Sequence, residues 1–64
     1  MKIRFGKVED IMVQIERMSI PTKVIEDVAN KEFNADRIDG GFFGCASLYG
    51  YWFFDMSGVV IIEN

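Results

Sequence analysis

Histidine is absent from the 64 residues, and cysteine and proline each occur only once. Without histidine the usual general base is missing, which excludes Ser-His-Asp and Cys-His nucleophile systems. One cysteine cannot form an internal disulfide, and without histidine it cannot complete the common zinc ligand sets. We therefore expect a non-enzymatic protein with no metal ion, no cofactor and no small-molecule substrate.

Basic residues are outnumbered, since the chain has seven Lys and Arg but ten Asp and Glu, for a net charge of -3. Nucleic-acid binders need the opposite balance, because phosphates attract a basic surface, so no nucleic-acid partner is expected. Charged residues interrupt the N-terminal segment Met1–Asp10, so no secretory signal is expected there. An unpaired Cys45 is typical of a reducing compartment, and together these features predict a cytoplasmic protein.

The short length raises the question of what stabilises the fold. No linker, repeat or low-complexity tract divides the sequence, which predicts a single domain over residues 1–64. A domain of this size buries only roughly 60% of its unfolded surface, and small domains usually add disulfides, a metal or an oligomeric partner. The composition excludes an internal disulfide and the common zinc ligand sets. A partner chain is what remains.

The first 39 residues hold all the basic residues, and their pattern predicts one strand and two helices. The strand is residues 2–5, and a first helix is predicted from apolar residues at spacings of three and four. Pro21 should lie in the first turn of a second helix, with Ser19 as its N-cap and Asn34 as a left-handed C-cap. The expected inward positions are Val8, Ile11, Met12, Ile15 and Met18 in the first helix, and Val24, Ile25, Val28, Ala29 and Phe33 in the second.

The last 25 residues hold seven of the nine aromatic residues and predict strands. Three segments rich in aromatic and β-branched residues, 42–47, 51–56 and 59–63, are bounded by Asp39-Gly40, Gly50 and Ser57-Gly58. The predicted fold class is α+β. It is a small two-layer β-α-α-β-β-β domain, with a mainly antiparallel sheet and two helices on one face.

Both faces of this predicted sheet are apolar. A two-residue hairpin at Ser57-Gly58 pairs Phe54 with Ile61 and Trp52 with Glu63. One face then carries Trp52, Phe54, Met56, Val59 and Ile61, and the other carries Tyr51, Phe53, Asp55, Val60 and Ile62. Two short helices cover only one face, so we expect another protein on the second. The predicted partner or self-interface is Tyr49, Tyr51, Phe53, Val60 and Ile62.

Three alternatives remain open at this point. The helices could lie on opposite faces of the sheet, although a short connection between them opposes this. Residues 42–62 could be a membrane helix, although Asp55 and three glycines oppose it, so no membrane partner is expected. The two helices could form a DNA-binding helix-turn-helix, although the acidic balance opposes this as well.

The functional prediction is a small acidic protein that binds other proteins. It should form a homodimer, bind a target protein, or both. By analogy of size and composition, we expect an accessory or inhibitor protein of the phage or mobile-element anti-defence type, which occludes a partner surface. A basic surface on that partner would meet the acidic positions Glu9, Asp10, Glu16, Glu26, Asp27 and Glu32. Asp55 is expected to cap the Ser57-Gly58 turn, and Cys45 to be a small buried residue.

Overall fold

The computed structural model describes residues 1–63, which form short helices and six strands. The elements in chain order are β1 Lys2–Phe5, α1 Val8–Ile11, α2 Val13–Arg17, α3 Thr22–Val28, β2 Glu32–Asn34, β3 Asp36–Ile38, β4 Phe42–Ser47, β5 Gly50–Asp55 and β6 Val59–Glu63. Only Met12 separates α1 from α2, so these two segments together correspond to the first predicted helix. The α+β class is confirmed.

Two antiparallel three-stranded sheets replace the single predicted sheet, with strand orders β2-β1-β6 and β3-β4-β5. Buried Ala35 is the only residue between β2 and β3, so the chain passes from one sheet to the other there. The core joins the two sheets, because the Phe5 ring contacts Phe43 at 5.8 Å and Phe54 at 4.9 Å between centroids. Phe43 and Phe54 also stack on each other at 5.5 Å.

The predicted hairpin between the last two strands is wrong. A tight turn does form, with the Val59 N–H donating to the Met56 carbonyl at 3.1 Å. The strands on either side of it then separate, because β5 pairs with β4 and β6 pairs with β1. In the β1–β6 pair, Ile61 lies opposite Ile3 and Val59 lies opposite Phe5. Pairing with β1 thus places the apolar residues of β6 beside the two core residues of β1.

The first helical region differs from its prediction in the face that it buries. Ile11 and Gln14 are completely buried, whereas Val8 and Met12 are exposed. Met12 itself has helical dihedral angles, with φ -58° and ψ -29°, and the buried row runs from Ile11 to Gln14. At the N-terminus the Asp10 carboxylate accepts a hydrogen bond from the Lys7 N–H at 3.2 Å, which satisfies one free donor of the first turn.

The second predicted helix buries the predicted face but is shorter. Its four inward positions Val24, Ile25, Val28 and Ala29 are all buried, as predicted. The left-handed residue after the helix is Asn30, with φ 61°, and not Asn34, which lies in β2. Phe33 also lies in β2, where its ring packs edge-on against Phe5 at 5.6 Å. Ser19 has φ 55° and is not the N-cap, a position that Pro21 occupies.

Candidate functional site

The candidate site is the side of the β3–β4–β5 sheet that faces away from the core, called here the outer face. Phe43 and Cys45 of β4 and Phe54 of β5 are buried, so their neighbours along each strand point outward. Ile38 and Phe42 lie opposite each other in the register of β3 and β4. The large apolar side chains of the outer face are Ile38, Phe42, Tyr51 and Phe53.

Tyr51 is held in a fixed position across the sheet. Its ring covers Gly44 on the neighbouring strand, where a Cβ atom would overlap the phenol. The phenol O–H donates to Asp36 Oδ2 at 2.8 Å, on the far side of β4. Phe53 packs against the Tyr51 ring edge-to-face, with centroids 5.5 Å apart. The two rings therefore form an ordered aromatic pair on the outer face.

This arrangement raises the pKa of Tyr51, mainly through the hydrogen bond to Asp36 and secondarily through desolvation. We expect Asp36→Asn to lower the titration midpoint of Tyr51. The hydrogen bond stabilises the protonated phenol, so its contribution to stability is present below the ordinary tyrosine pKa of about 10 and is lost as the pH rises through the raised value. Ultraviolet titration in a Tyr49→Phe background, where Tyr51 is the only tyrosine, measures it. An unchanged midpoint would contradict the assignment.

Helix α3 anchors the turn between β4 and β5. The Asp27 carboxylate accepts a hydrogen bond from the Leu48 N–H at 3.0 Å and lies 3.5 Å from the Lys31 ammonium. The Lys23 ammonium lies over the Tyr49 ring, 4.9 Å from its centroid. The side chain of Leu48 is left exposed at the tip. The turn is thus held to the helix by its backbone and by one aromatic ring.

A buried glutamine holds the other end of β5. Gln14 donates through Nε2 to the Asp55 carbonyl at 3.0 Å and to the Ser57 carbonyl at 2.9 Å. Its Oε1 accepts from the Asp55 N–H at 2.9 Å. Sequence reasoning missed this contact. The signal was a polar residue three positions from Ile11 on the inward row of the helix.

Asp55 caps the turn that follows β5, as predicted. Its Oδ1 accepts a hydrogen bond from the Ser57 N–H at 2.9 Å. Its Oδ2 lies 3.2 Å from Arg17 Nε, but that N–H is not aligned for a hydrogen bond, so the contact is an ion pair. The carboxylate is buried and its charge is compensated by a partly exposed arginine.

The remaining predicted interface residues lie in the other sheet. Val60 and Ile62 are exposed on β6, and Val60 lies opposite Arg4. The neighbourhood of Val60 is charged, because Glu32 accepts a hydrogen bond from Arg4 and lies 3.6 Å from the Lys2 ammonium. Hydrogen bonding to Arg4 lowers the pKa of Glu32. The structure therefore brings Tyr51 and Phe53 together but places Val60 and Ile62 in a separate sheet.

The six acidic positions divide into two groups. Three of them contact other parts of the chain, since Asp10 caps α1, Asp27 holds the β4–β5 turn and Glu32 pairs with basic residues of β1. The other three are exposed and have no ion pair or hydrogen bond among residues 1–63; they are Glu9, Glu16 and Glu26. These three carboxylates are available to an external partner.

No protein-family model, curated protein or solved structure matches this chain. Its chemistry must be judged from its own side chains. Burial, followed by the charge of Asp36, raises the pKa of the Cys45 thiol to about 11, so this thiol is a poor nucleophile at neutral pH. In the described part of the chain, no group of three or more Cys, Asp or Glu side chains is placed to hold a metal ion.

Residues 42–62 form β4, β5 and the greater part of β6, so the alternative of a membrane helix in this segment is wrong. None of the helices within residues 1–63 has both the length and the apolar character needed to cross a membrane. In the predicted recognition helix, Lys23 lies on Tyr49 and Lys31 pairs with Asp27. The DNA-binding alternative thus gains no support from these two basic side chains.

Proposed function

We propose that this protein acts by binding other protein molecules through the outer face of the β3–β4–β5 sheet. The observation that carries the proposal is the ordered pair of Tyr51 and Phe53, which is about half exposed. It lies on β5, where no residue before Asp55 is charged. Aromatic side chains held in this way are characteristic of the centre of protein interfaces, since they bury a large area at low entropic cost.

The size of the outer face agrees with this role. Its four large side chains, each close to half exposed, present roughly 300–400 Å² of apolar surface, since a fully exposed aromatic side chain contributes about 150–250 Å². The largest apolar patch of an ordinary monomer has this size and is often functional. Covering it contributes on the order of 8–10 kcal/mol before the cost of association.

The proposed biochemical role is that of an accessory or inhibitor protein, which occludes a surface of its partner. Glu9, Glu16 and Glu26 supply three exposed carboxylates with no partner in the described chain, and the net charge of -3 has the same sign. Such charges favour a target with a basic surface. The size and the acidic composition are those expected for inhibitors encoded by phages or mobile elements, and self-association through the aromatic sheet belongs to the same proposal.

A photo-crosslinking amino acid at position 53 tests the proposed binding surface. Position 12 is the matched control, because Phe53 and Met12 are both 52% exposed but only Phe53 lies on the outer face. Irradiation should give discrete protein adducts from position 53, either at twice the chain mass in the purified protein or with another protein in cells. Position 12 should give few. Equal labelling from the two positions, or none from position 53 in either setting, would contradict the proposal.

A further inference from the structure

Strand β5 has one paired edge and one open edge. Its paired edge bonds to β4 in an unbroken register from Ser47 opposite Gly50 to Phe42 opposite Asp55. At Asp55 both the N–H and the carbonyl bond to Gln14, so these two groups point away from β4. Backbone groups of an antiparallel strand point to the same side at every second residue. The N–H and carbonyl groups of Phe53 and Tyr51 therefore also point to the open edge.

These four groups are not bonded within the described chain. β5 pairs with no strand other than β4 among residues 1–63, and no turn or side-chain hydrogen bond reaches the backbone of Tyr51 or Phe53. At Asp55, and at no other residue of β5, Gln14 makes the backbone hydrogen bonds that a neighbouring strand would make. The open edge is thus a short template of two N–H donors and two carbonyl acceptors.

We propose that a second copy of this chain pairs with β5 along its open edge, in antiparallel orientation. Tyr51 of each copy lies opposite Phe53 of the other, and Trp52 lies opposite itself on the two-fold axis. This register satisfies all four open backbone groups of each copy through four hydrogen bonds. The proposal rests on the self-association described under the proposed function and gives it a geometry.

The neighbouring registers are less favourable. Placing Phe53 opposite itself would bring Tyr51 opposite Asp55, whose backbone groups Gln14 already holds. Placing Tyr51 opposite itself would bring Phe53 opposite Tyr49, which lies in the turn and not in the strand. The register centred on Trp52 is the one in which every open group meets an open group.

A second copy is favoured over other occupants by charge and by self-complementarity. The strand has no charged residue from Gly50 to Phe54, although the chain carries a net charge of -3, so two copies meet there without direct repulsion. Edge strands β2 and β3 carry Glu32 and Asp36, and β6 ends in the charged Glu63 beside a register shift in its pairing with β1. Charges and bulges on edge strands oppose pairing.

The area indicates a dimer of modest affinity. The side chains near the open edge include three large aromatic residues and the exposed Leu48, which together offer about 400–500 Å² per copy. Stable interfaces of standard size bury about 800 Å² per partner, so we expect a dissociation constant in the micromolar range. The outer strands of the combined sheet are the charged β3 strands, so pairing ends at two copies.

Semisynthesis allows the open edge to be changed without changing any side chain. Ligation at Cys45 joins residues 1–44 to a synthetic peptide of residues 45–64, in which the Phe53 nitrogen carries a methyl group. The change removes no hydrogen bond from the folded monomer, because that N–H is not bonded within the described chain. The loss of one hydrogen bond from each copy, with the added bulk, should raise the dissociation constant at least about 30-fold. Light scattering and sedimentation over 1–200 μM measure it, with the unmodified ligation product as control.

Two further measurements separate edge pairing from stacking of outer faces. Phe42→Glu changes the outer face on the central strand, away from the open edge. A dimer paired along β5 should keep its dissociation constant within about threefold, whereas a dimer stacked through the outer faces should be lost. The only tryptophan lies on the proposed two-fold axis, so its far-ultraviolet circular dichroism should gain an exciton couplet as the concentration rises. Loss of the dimer with Phe42→Glu but not with N-methyl Phe53 would overturn edge pairing and leave the proposed function standing. A wild type monomeric at 200 μM would also overturn it, and adducts from position 53 with a different protein would then still support the proposed function.

Discussion

Gln14→Leu should lower the free energy of unfolding by about 3–6 kcal/mol, because it removes the partners of three backbone groups while keeping a side chain of similar size. The Asp55 N–H, the Asp55 carbonyl and the Ser57 carbonyl would all lose their hydrogen bonds, of which the Asp55 pair is buried. Each buried group without a partner costs about 1–3 kcal/mol. At about 0.05–0.15 kcal/mol per residue, a domain of 64 residues has a stability of about 3–10 kcal/mol. Urea unfolding followed by circular dichroism measures the change.

Two controls separate hydrogen bonding from packing at position 14. Glu16→Gln on the exposed side of the same helix should change the stability by less than about 0.5 kcal/mol. Gln14→Glu keeps the shape but places a carboxylate beside two carbonyls, which raises its pKa in the folded state. Its hydrogen bond as a neutral acid is therefore fully present below the ordinary glutamate pKa of about 4.3 and is lost as the pH rises through the raised value. A Gln14→Leu variant as stable as the wild type would contradict the assigned role.

Gly58→Ala should destabilise the fold by about 2–5 kcal/mol, through two effects that act together. Gly58 has φ 73°, which costs about 1–2 kcal/mol for an L-residue with a Cβ. The new Cβ would also overlap the Asp10 carbonyl and approach Ile11 Cγ2 to 2.8 Å, and overpacking of this kind costs about 1–3 kcal/mol. The backbone cannot move away easily, because the Gly58 carbonyl accepts a hydrogen bond from the Gly6 N–H at 2.8 Å.

Gly41→Ala is the matched control for this prediction. Gly41 has φ 83°, close to that of Gly58, but nothing lies within 4 Å of the position that its Cβ would take. The control should therefore lose only the conformational part, about 1–2 kcal/mol. Thermal and urea unfolding give the loss of unfolding free energy for each variant. The difference between the two losses measures the cost of the close contact between the β5–β6 turn and α1. Equal losses for the two variants would show that this approach is not tight.

Local patterns predicted the elements whose apolar residues recur regularly. The three buried residues of α3, and the strands β4 and β5, follow from spacing and composition alone. The strands β2 and β3 were missed because Glu32–Asn34 and Asp36–Ile38 are short and polar, and they become strands through pairing with β1 and β4. In both segments the sequence pattern for a strand is weaker than the helix pattern of the residues that precede them.

Only part of the candidate site could be predicted, again because local patterns do not show which distant segments pair. Alternation along β5 correctly placed Tyr51 and Phe53 on the side away from the core. The sequence pattern places Val60 and Ile62 in the same sheet only if the Ser57-Gly58 turn joins two paired strands, and β5 and β6 are not paired. A turn determines only the local backbone geometry. The strand that pairs with β6 is β1, which is distant in the sequence. The role of Gln14 depends on an equally distant contact, with Asp55.

The pairing of β1 with β6 has a consequence for the order of folding. Phe5 lies opposite Val59, so this sheet closes a loop of more than fifty residues, whereas the β4–β5 hairpin closes a loop of two. Loop-closure entropy favours the short loop first. The hairpin that carries the outer face should therefore form before the sheet that pairs β1 with β6.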